Sequence, residues 1–423
     1  MNKRSSANRP GIFWETQGRI IDKMDLLVFN CGSSSQSFTV FRSNGTSAPE
    51  IPAHGKARNV ATLTKADAVL EWAVGETSGK ITADLSSHRA AAELILSVLK
   101  EHGIRPDAVG HRFVNGGALF SRTAKLDPET LAKLREAFPL APIHNPNSYS
   151  VIEVCLERLP GIPQYAVFDT AFHSRMPAEN TVYAIPRETA EAGGFRKVGF
   201  HGLSYSYISG RAAALLGKRP DEVRLVMCHL GTGGSSVCAF RDGHSVDSSM
   251  GYSPTSGLIM STRCGDLDPE IVLDLIRSGM SPDQVSDLLN RRSGLEGLSG
   301  YSSNPGEIIA AARAGNKDCE LAFKAYVSRL RKYIGAFLFE LDGADALIFT
   351  DDAGIRYPEL REAVCTDTEF FGLSLDRAKN AAYDMKSEAC LSTPGSRVQI
   401  WAIPTDEERT IYNEILAYEK QHA

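Results

Sequence analysis

A chain of 423 residues is long enough for two or three domains, each able to bury a core of its own. Hydrophobic residues make up 43% and charged residues 23%, a balance that excludes a disordered chain, and a net charge of −5 gives no reason to expect nucleic acid as a partner. There is no apolar run of about 18 residues or more, so no membrane-spanning helix and no membrane partner are expected.

Residues 1–23, MNKRSSANRPGIFWETQGRIIDK, are polar and aperiodic and lack the apolar stretch of a secretory signal. They are expected to be an extension, disordered or untranslated, because Met24 stands immediately before the first strong strand. That strand run, LLVFNCGSSSQSF (26–38), turns on a glycine and a serine cluster. Glycine lets backbone N–H groups come close to an anion, and Ser33, Ser35 and Ser37 bring hydroxyl donors. HRAAAELILSVLKEHG (88–103) has helical apolar spacing and a stop at Gly103. GHRFVNGG (110–117) then sets Arg112 beside a double glycine, and PETLAKLREAF (128–138) predicts a second amphipathic helix. APIHNPNS (141–148) places His144 before Asn-Pro, a turn. VFDTAFH (167–173) ends a strand on Asp169, a carboxylate suited to orienting metal-bound water or a phosphate-bound metal. GFHGLSY (199–205) holds His201 between Phe200 and Gly202, where an imidazole can donate to a moving phosphoryl group.

RLVMCHLGTGGSS (224–236) repeats the pattern of the first strand about 200 residues later, which predicts two related domains. Facing each other, the two loops would make a phosphate-binding cleft, although neither is a P-loop or a dinucleotide motif. The plain alternative for each is a turn between strands. STRCGDLDPE (261–270) puts Arg263 in a loop comparable to that of Arg112, and two such arginines can grip a carboxylate and a phosphoryl group. A surface ion pair is the commoner use of an arginine. SSNPG (302–306) reads as a loop, and ELAFKAYVSRLRKYIGAFLFEL (320–341) as a long core or interdomain helix. ALIFTDDAG (346–354) is a third buried strand, in which Ala346–Phe349 stops at Thr350 and Asp351 and Asp352 follow. IPTDEE (403–408) offers acidic residues, and EERTIYNEILAYEKQ (407–421) closes the chain with a helix. Strands alternating with helices predict an α/β fold with parallel or mixed sheets. Eight scattered cysteines without a C-x-x-C pair or zinc spacing predict reduced thiols in a cytoplasmic protein.

In chain order from Met24, FNCGSSS, GHRFVNGG, LAPIHNP, VFDTAFH, GFHGLSY, CHLGTGGSS, STRCGDLDP, RRSGLEGLSG and IPTDEE together resemble the acetate kinase family. The resemblance implies two related α/β domains of the sugar-kinase/actin/heat-shock-chaperone (ribonuclease H-like) fold with a central cleft. The first would span 24–173, completed by the helix 408–423, and the second 174–407. It also implies reversible phosphoryl transfer between acetate and acetyl phosphate, Mg2+ as cofactor, small molecules as partners, and a homodimer. Under it, Asn30 and Glu407 would place Mg2+, and Asp169 would be the catalytic carboxylate. Arg112 and Arg263 would hold the carboxylate substrate and the transferring phosphoryl group, and His201 would stabilise the transition state. Val114, Ile143, Phe200 and Pro254 would line a small pocket for the methyl group, with His144 among the substrate residues. His229, Leu230, Gly231, Thr232 and Gly233 would be the phosphate loop.

The departures fall on the phosphoryl-donor side. The Gly-x-Gly-Glu-Asn turn of ATP-using members, which lies against the adenosine, aligns with Asp352, Ala353, Gly354, Ile355 and Arg356. A carboxylate replaces the first glycine and bulky Ile355 follows. Their Asp-Phe-Arg block aligns with Asn304, Pro305 and Gly306, the lysine of the first loop with Ser37, and the asparagine of the phosphate loop with Thr232. On the acetyl side only Asn115 departs, from histidine. This combination resembles the pyrophosphate-type acetate kinase, which uses phosphate and pyrophosphate in place of ADP and ATP, and it puts Asp352 and Gly354 in the donor site. ATP and ADP stay open as the alternative if Asp351 or Asp352 only caps the helix PELREAV (358–364). Propionate or butyrate as substrate is a second alternative. An actin-like scaffold would be expected to have lost Arg112, Asp169, His201 and Arg263, all of which are present.

Overall fold

The computed structural model describes residues 24–43, 48–62 and 67–422. The extension expected over 1–23 lies outside them. By internal packing the chain divides into two units, Met1–Phe168 with Glu407–Ala423, and Asp169–Asp406. The turn Asp169–His173, grouped with the first domain in the sequence expectation, falls in the second unit, and Glu407 falls in the first.

Among its described residues the first unit builds a sheet from β1 (Asp25–Cys31), β2 (Ser35–Arg42), β3 (Glu50–Arg58), β4 (Val69–Val74), β5 (Thr77–Thr82), β6 (Ala108–Phe113), β7 (Ala124–Lys125) and β8 (Gln164–Phe168), in the order β5-β4-β3-β2-β1-β6-β8-β7. β1 runs antiparallel to β2 and parallel to β6, and β6 runs parallel to β8. Leu26–Phe29 are buried without alternation, as a strand covered on both faces requires. On one face lie the helices His88–Glu101 and Asn145–Arg158, whose Ile95, Val98, Val151 and Val154 pack with Leu27 and Phe29. On the other lies the C-terminal helix Glu407–His422. It comes so close to β6 that a Cβ on Gly110 would sit 2.5 Å from Ile415 Cδ1, which is why that strand carries a glycine.

The second unit repeats this plan. β9 (Leu225–Leu230), β10 (Ser235–Arg241), β11 (His244–Ser248), β12 (Ala346–Thr350), β13 (Ala389–Cys390) and β14 (Gln399–Ala402) lie in the order β11-β10-β9-β12-β14-β13. β9 is antiparallel to β10 and parallel to β12, which is parallel to β14. The set β3-β2-β1-β6-β8 and the set β11-β10-β9-β12-β14 therefore share order and direction. The repeated strand-and-glycine pattern marks equivalent hairpins: CGSSS joins β1 to β2, and LGTGGS joins β9 to β10. The long helix Lys317–Glu340 buries Ala322, Tyr326, Leu330 and Phe337 against one face, and the helix Gly202–Leu215 packs Tyr205, Ile208 and Ala212 against the other.

The helices expected over 88–103, 128–138, 320–341 and 407–421 occur at His88–Glu101, Pro128–Glu136, Lys317–Glu340 and Glu407–His422. Two turn assignments need correction. SSNPG is the entrance to a helix, Pro305–Arg313, because Asn304 Oδ1 accepts from Gly306 N at 2.8 Å and Pro305 suits the first helical position. DDAGIR is itself a short helix, Asp351–Arg356, entered directly from β12. No helix of the described residues is long and apolar enough to cross a membrane.

Two histidines sit inside this scaffold. Burial pushes His111 on β6 and His173 in the turn Asp169–His173 from 6.5 down to about 4. Each is neutral in the fold but takes a proton near pH 6.5 once unfolded, so the stability it supports is complete above about pH 6.5 and is lost as pH falls toward 4. Between pH 7 and pH 5 the unfolding free energy is expected to drop by on the order of 2 kcal/mol per histidine. Thermal melts at the two pH values check this, and His111→Gln is expected to flatten part of the slope. A midpoint independent of pH in wild type would show that the two rings carry no such linkage.

Candidate active site

In the first unit three strand and helix ends meet. Asn30 closes β1, Arg112 stands near the end of β6, and Glu407 opens the C-terminal helix. Arg112 Nη1 donates to Asn30 Oδ1 at 2.9 Å and lies 3.2 Å from Glu407 Oε2. Asn30 Nδ2 donates to Glu407 Oε2 at 2.9 Å and to Glu408 Oε1 at 3.2 Å. Glu408, which the sequence reading passed over, also accepts from Ser37 Oγ. An amide oxygen and carboxylates are hard donors. They suit a divalent cation that completes its shell from substrate and water. Among the described residues no group of three His, Cys, Asp or Glu makes a self-sufficient metal site.

The loop after β6 is locked from below. Asn145 Oδ1 accepts from Asn115 N at 3.2 Å, and Asn145 Nδ2 donates to the carbonyls of Asn115 and Ala137 at 2.8 and 2.7 Å. Asn115 is buried, and its Oδ1 accepts from Gly117 N at 2.8 Å, so here this position shapes the loop. Val114 is buried beside it, Ile143 is about half exposed, and His144 holds the N-cap position of the helix Asn145–Arg158. Ser33 is exposed in the β1–β2 hairpin, which Gly32 N closes on Ser35 O at 2.8 Å.

The second unit holds the other group. Asp169 is buried at the head of its turn, and the helix Gly202–Leu215 starts against its carbonyl so closely that a Cβ on Gly202 would overlap that oxygen. His201 precedes this glycine with φ +60, a left-handed conformation that is strained for histidine. His201 Nδ1 meets Ser236 Oγ at 2.8 Å, and that hydroxyl meets Tyr205 OH at 2.5 Å. His229, at the end of β9, stacks on His201 with ring centroids 4.0 Å apart and planes at 23°. Arg263 Nη1 donates to Pro254 O at 3.4 Å, and burial lowers the guanidinium from its ordinary 12.5. Phe200 is buried, with its carbonyl accepting from His173 Nε2 at 3.0 Å.

Arg263 and His201 converge on Gly234. A Cβ there would lie 3.1 Å from Arg263 Nη1 and 3.3 Å from His201 Nε2. The missing side chain leaves a space faced by a guanidinium and an imidazole, a seat for an oxygen that gains negative charge. Sequence reasoning ended the phosphate loop at Gly233, and the only signal for Gly234 was the second of two adjacent glycines. Of the rest of that loop, Leu230 is buried, Gly231 N donates to Gly234 O at 3.1 Å, and Thr232 and Gly233 are exposed.

A family model described as the acetokinase family matches residues 25–413. The chain belongs to the acetokinase family. The acetate kinase of Dictyoglomus thermophilum is 41% identical over 399 residues, 92% of this chain and 98% of that protein. A crystal structure of Porphyromonas gingivalis acetate kinase matches with a TM-score of 0.84 at 36% identity, covering 93% of this chain and 99% of that one. A propionate kinase from Francisella tularensis matches with a TM-score of 0.84 at 32% identity, covering 92% and 98%. The fold is thus the two-domain α/β fold of acetate kinases, in the sugar-kinase/actin/heat-shock-chaperone class, and the chain is a phosphotransferase of the carboxyl-directed kind.

Within the acetokinase pattern, the segments that depart from ATP-using members can now be placed. Neither Asp351 nor Asp352 caps the helix Pro358–Val364, whose N-cap is Tyr357 with no side-chain cap bond. Asp351 Oδ2 lies 3.1 Å from His229 Nε2. Asp352 Oδ2 accepts from Thr232 Oγ1 at 3.4 Å, and Asp352 Oδ1 lies 3.3 Å from Arg356 Nε. Ile355, expected to obstruct a nucleotide, is instead buried in the core. Gly354 is buried beside it, and both carbonyls accept from Arg361 Nη1 at 2.7 Å. The side chain that packs across these segments is Tyr357. Its hydroxyl donates to Asn304 Oδ1 at 3.2 Å, and a Cβ on Gly306 would be only 2.6 Å from that hydroxyl. Tyr357 follows one of the altered blocks directly and packs on the other.

Proposed function

We propose that this chain is an acetate kinase whose acceptor and donor pair is phosphate and pyrophosphate: acetyl phosphate and phosphate give acetate and pyrophosphate, and the reverse. The observation that carries the donor assignment is Tyr357, seated on Gly306 and hydrogen-bonded to Asn304. It fills from within the ground that ATP-using members give to adenosine. Pyrophosphate has neither base nor ribose and loses nothing by this filling.

In the proposed chemistry Arg112 holds the substrate carboxylate; in the first unit Val114 and Ile143 are the apolar residues for its methyl group, with His144 next to Ile143 in sequence, and in the second unit Phe200 and Pro254 carry the same proposed role. Arg263 and His201 neutralise the equatorial oxygens of the transferring phosphoryl group over Gly234. Asp169 aligns the acyl oxygen as the catalytic carboxylate, and in the phosphate loop His229–Gly233 the exposed backbone of Thr232 and Gly233 receives the acceptor phosphate. Asn30 and Glu407 would hold Mg2+, which when bound supplies charge neutralisation to the phosphate oxygens. Discrimination against a longer acid is modest, since one methylene is worth about 1–3 kcal/mol, so slow turnover of propionate is expected. A homodimer is part of the proposal. The helix Pro269–Arg277 supports it, because its Ile271, Leu273 and Ile276 are all exposed in the single chain.

The test is acetate release from acetyl phosphate with Mg2+, comparing inorganic phosphate with ADP as acceptor. Release with phosphate, matched by pyrophosphate, is the expected result. Release only with ADP would overturn the donor assignment. Butyrate turned over as well as acetate in the reverse direction would overturn the acyl assignment.

A further inference from the structure

The pairing of Asp351 with His229 has no part in the roles given above, yet it ties the donor-side turn to the residues over Gly234. Asp351 is the first residue of the helix Asp351–Arg356 and takes φ +60, a conformation that aspartate tolerates better than most side chains. This turns the carboxylate back over the end of β9. Oδ2 reaches His229 Nε2 at 3.1 Å and occupies the space that a Cβ on Gly231 would need.

A carboxylate accepts hydrogen bonds and donates none, so His229 Nε2 carries a hydrogen. On the other side of the ring, Nδ1 meets Ser204 Oγ at 2.9 Å. With both nitrogens committed, the ring is fixed in the plane that stacks on His201 at 4.0 Å. His201 is in turn held through Nδ1 by Ser236, which leaves Nε2 facing Gly234 beside Arg263 Nη1. We propose that Asp351 is a positioning residue for phosphoryl transfer: it fixes the tautomer and tilt of His229 and, through the stacked pair, the aim of His201 Nε2. The inference rests on the role given to His201 above.

Two variants separate positioning from mere structural support. Asp351→Gly removes the carboxylate and at φ +60 relieves backbone strain, so it is expected to fold. Asp351→Asn keeps an oxygen that accepts from Nε2–H without the charge. In Asp351→Gly, the 15N shifts of the His229 imidazole are expected to move away from the Nε2-protonated form. kcat is expected to fall about 10- to 100-fold with KM for acetyl phosphate nearly unchanged. Asp351→Asn is expected to keep the tautomer and recover most of kcat. The proposal is overturned if Asp351→Gly leaves either the tautomer or kcat unchanged, or if Asp351→Asn is no better than Asp351→Gly. The tautomer readout needs no turnover, so a wild-type protein inactive with acetyl phosphate would sink the proposed function and still leave the Asp351–His229 pairing measurable.

Discussion

Arg263→Ala is expected to lower kcat by about three to four orders of magnitude while leaving the thermal midpoint close to wild type. The two halves of that expectation come from one feature. The guanidinium is desolvated, which lowers it from its ordinary 12.5, and no carboxylate among the described residues pairs with it. Its one hydrogen bond to protein there is the long contact with Pro254 O at 3.4 Å. A half-buried charge so poorly compensated adds little to stability, so removing it does not weaken the fold. What it loses is a cation 3.1 Å from the point where a side chain of Gly234 would begin. Such a charge is worth several kcal/mol to a transition state that spreads negative charge over its oxygens. Arg263→Lys keeps the charge without the fork and is expected to recover only part of the rate. The check is kcat at saturating acetyl phosphate together with a melting curve. Activity within about tenfold of wild type would remove Arg263 from the chemistry, and a collapsed midpoint would make it a structural residue.

The sequence carried the architecture because the architecture is periodic. The long helix Lys317–Glu340 and the run of buried strands announce themselves by apolar spacing, and the repeat of NCGSSS in HLGTGGSS foretold two related domains, whose sheets share strand order. Arg112, Asp169, His201 and Arg263 stood out because each follows an apolar run beside glycine or at a strand end. What the sequence hid depends on side-chain direction. DDAGIR is six residues long, too short for its helical period to show, so it read as a glycine turn. Only as a helix does it turn Ala353, Gly354 and Ile355 inward and leave Asp351 and Asp352 toward the end of β9. Tyr357 was missed for a related reason. Its partners Asn304 and Gly306 lie on another helix entrance, and nothing local in RYPEL points to them. Glu408 was overshadowed by its neighbour Glu407, although Ser37 and Asn30 both bond to it.

Gly234→Ala should test the geometry of the site with a single methyl group. kcat is expected to fall by about 10³-fold, with the fold intact. Gly234 does not have a positive φ, so alanine fits its backbone. The hairpin bond from Gly231 N to Gly234 O at 3.1 Å is made by the backbone and survives the change. The new Cβ would stand 3.1 Å from Arg263 Nη1 and 3.3 Å from His201 Nε2, distances at which those donors hold an oxygen rather than tolerate a carbon. The methyl group therefore takes the place of the oxygen and presses both donors back from it. If the seat lies over Gly234, Gly234→Ala and Arg263→Ala disable the same step, and the double variant is expected to lose little more than either single one. Losses that multiply in the double variant would mean that the two positions act on different events, and the phosphoryl seat would have to be sought elsewhere in the loop.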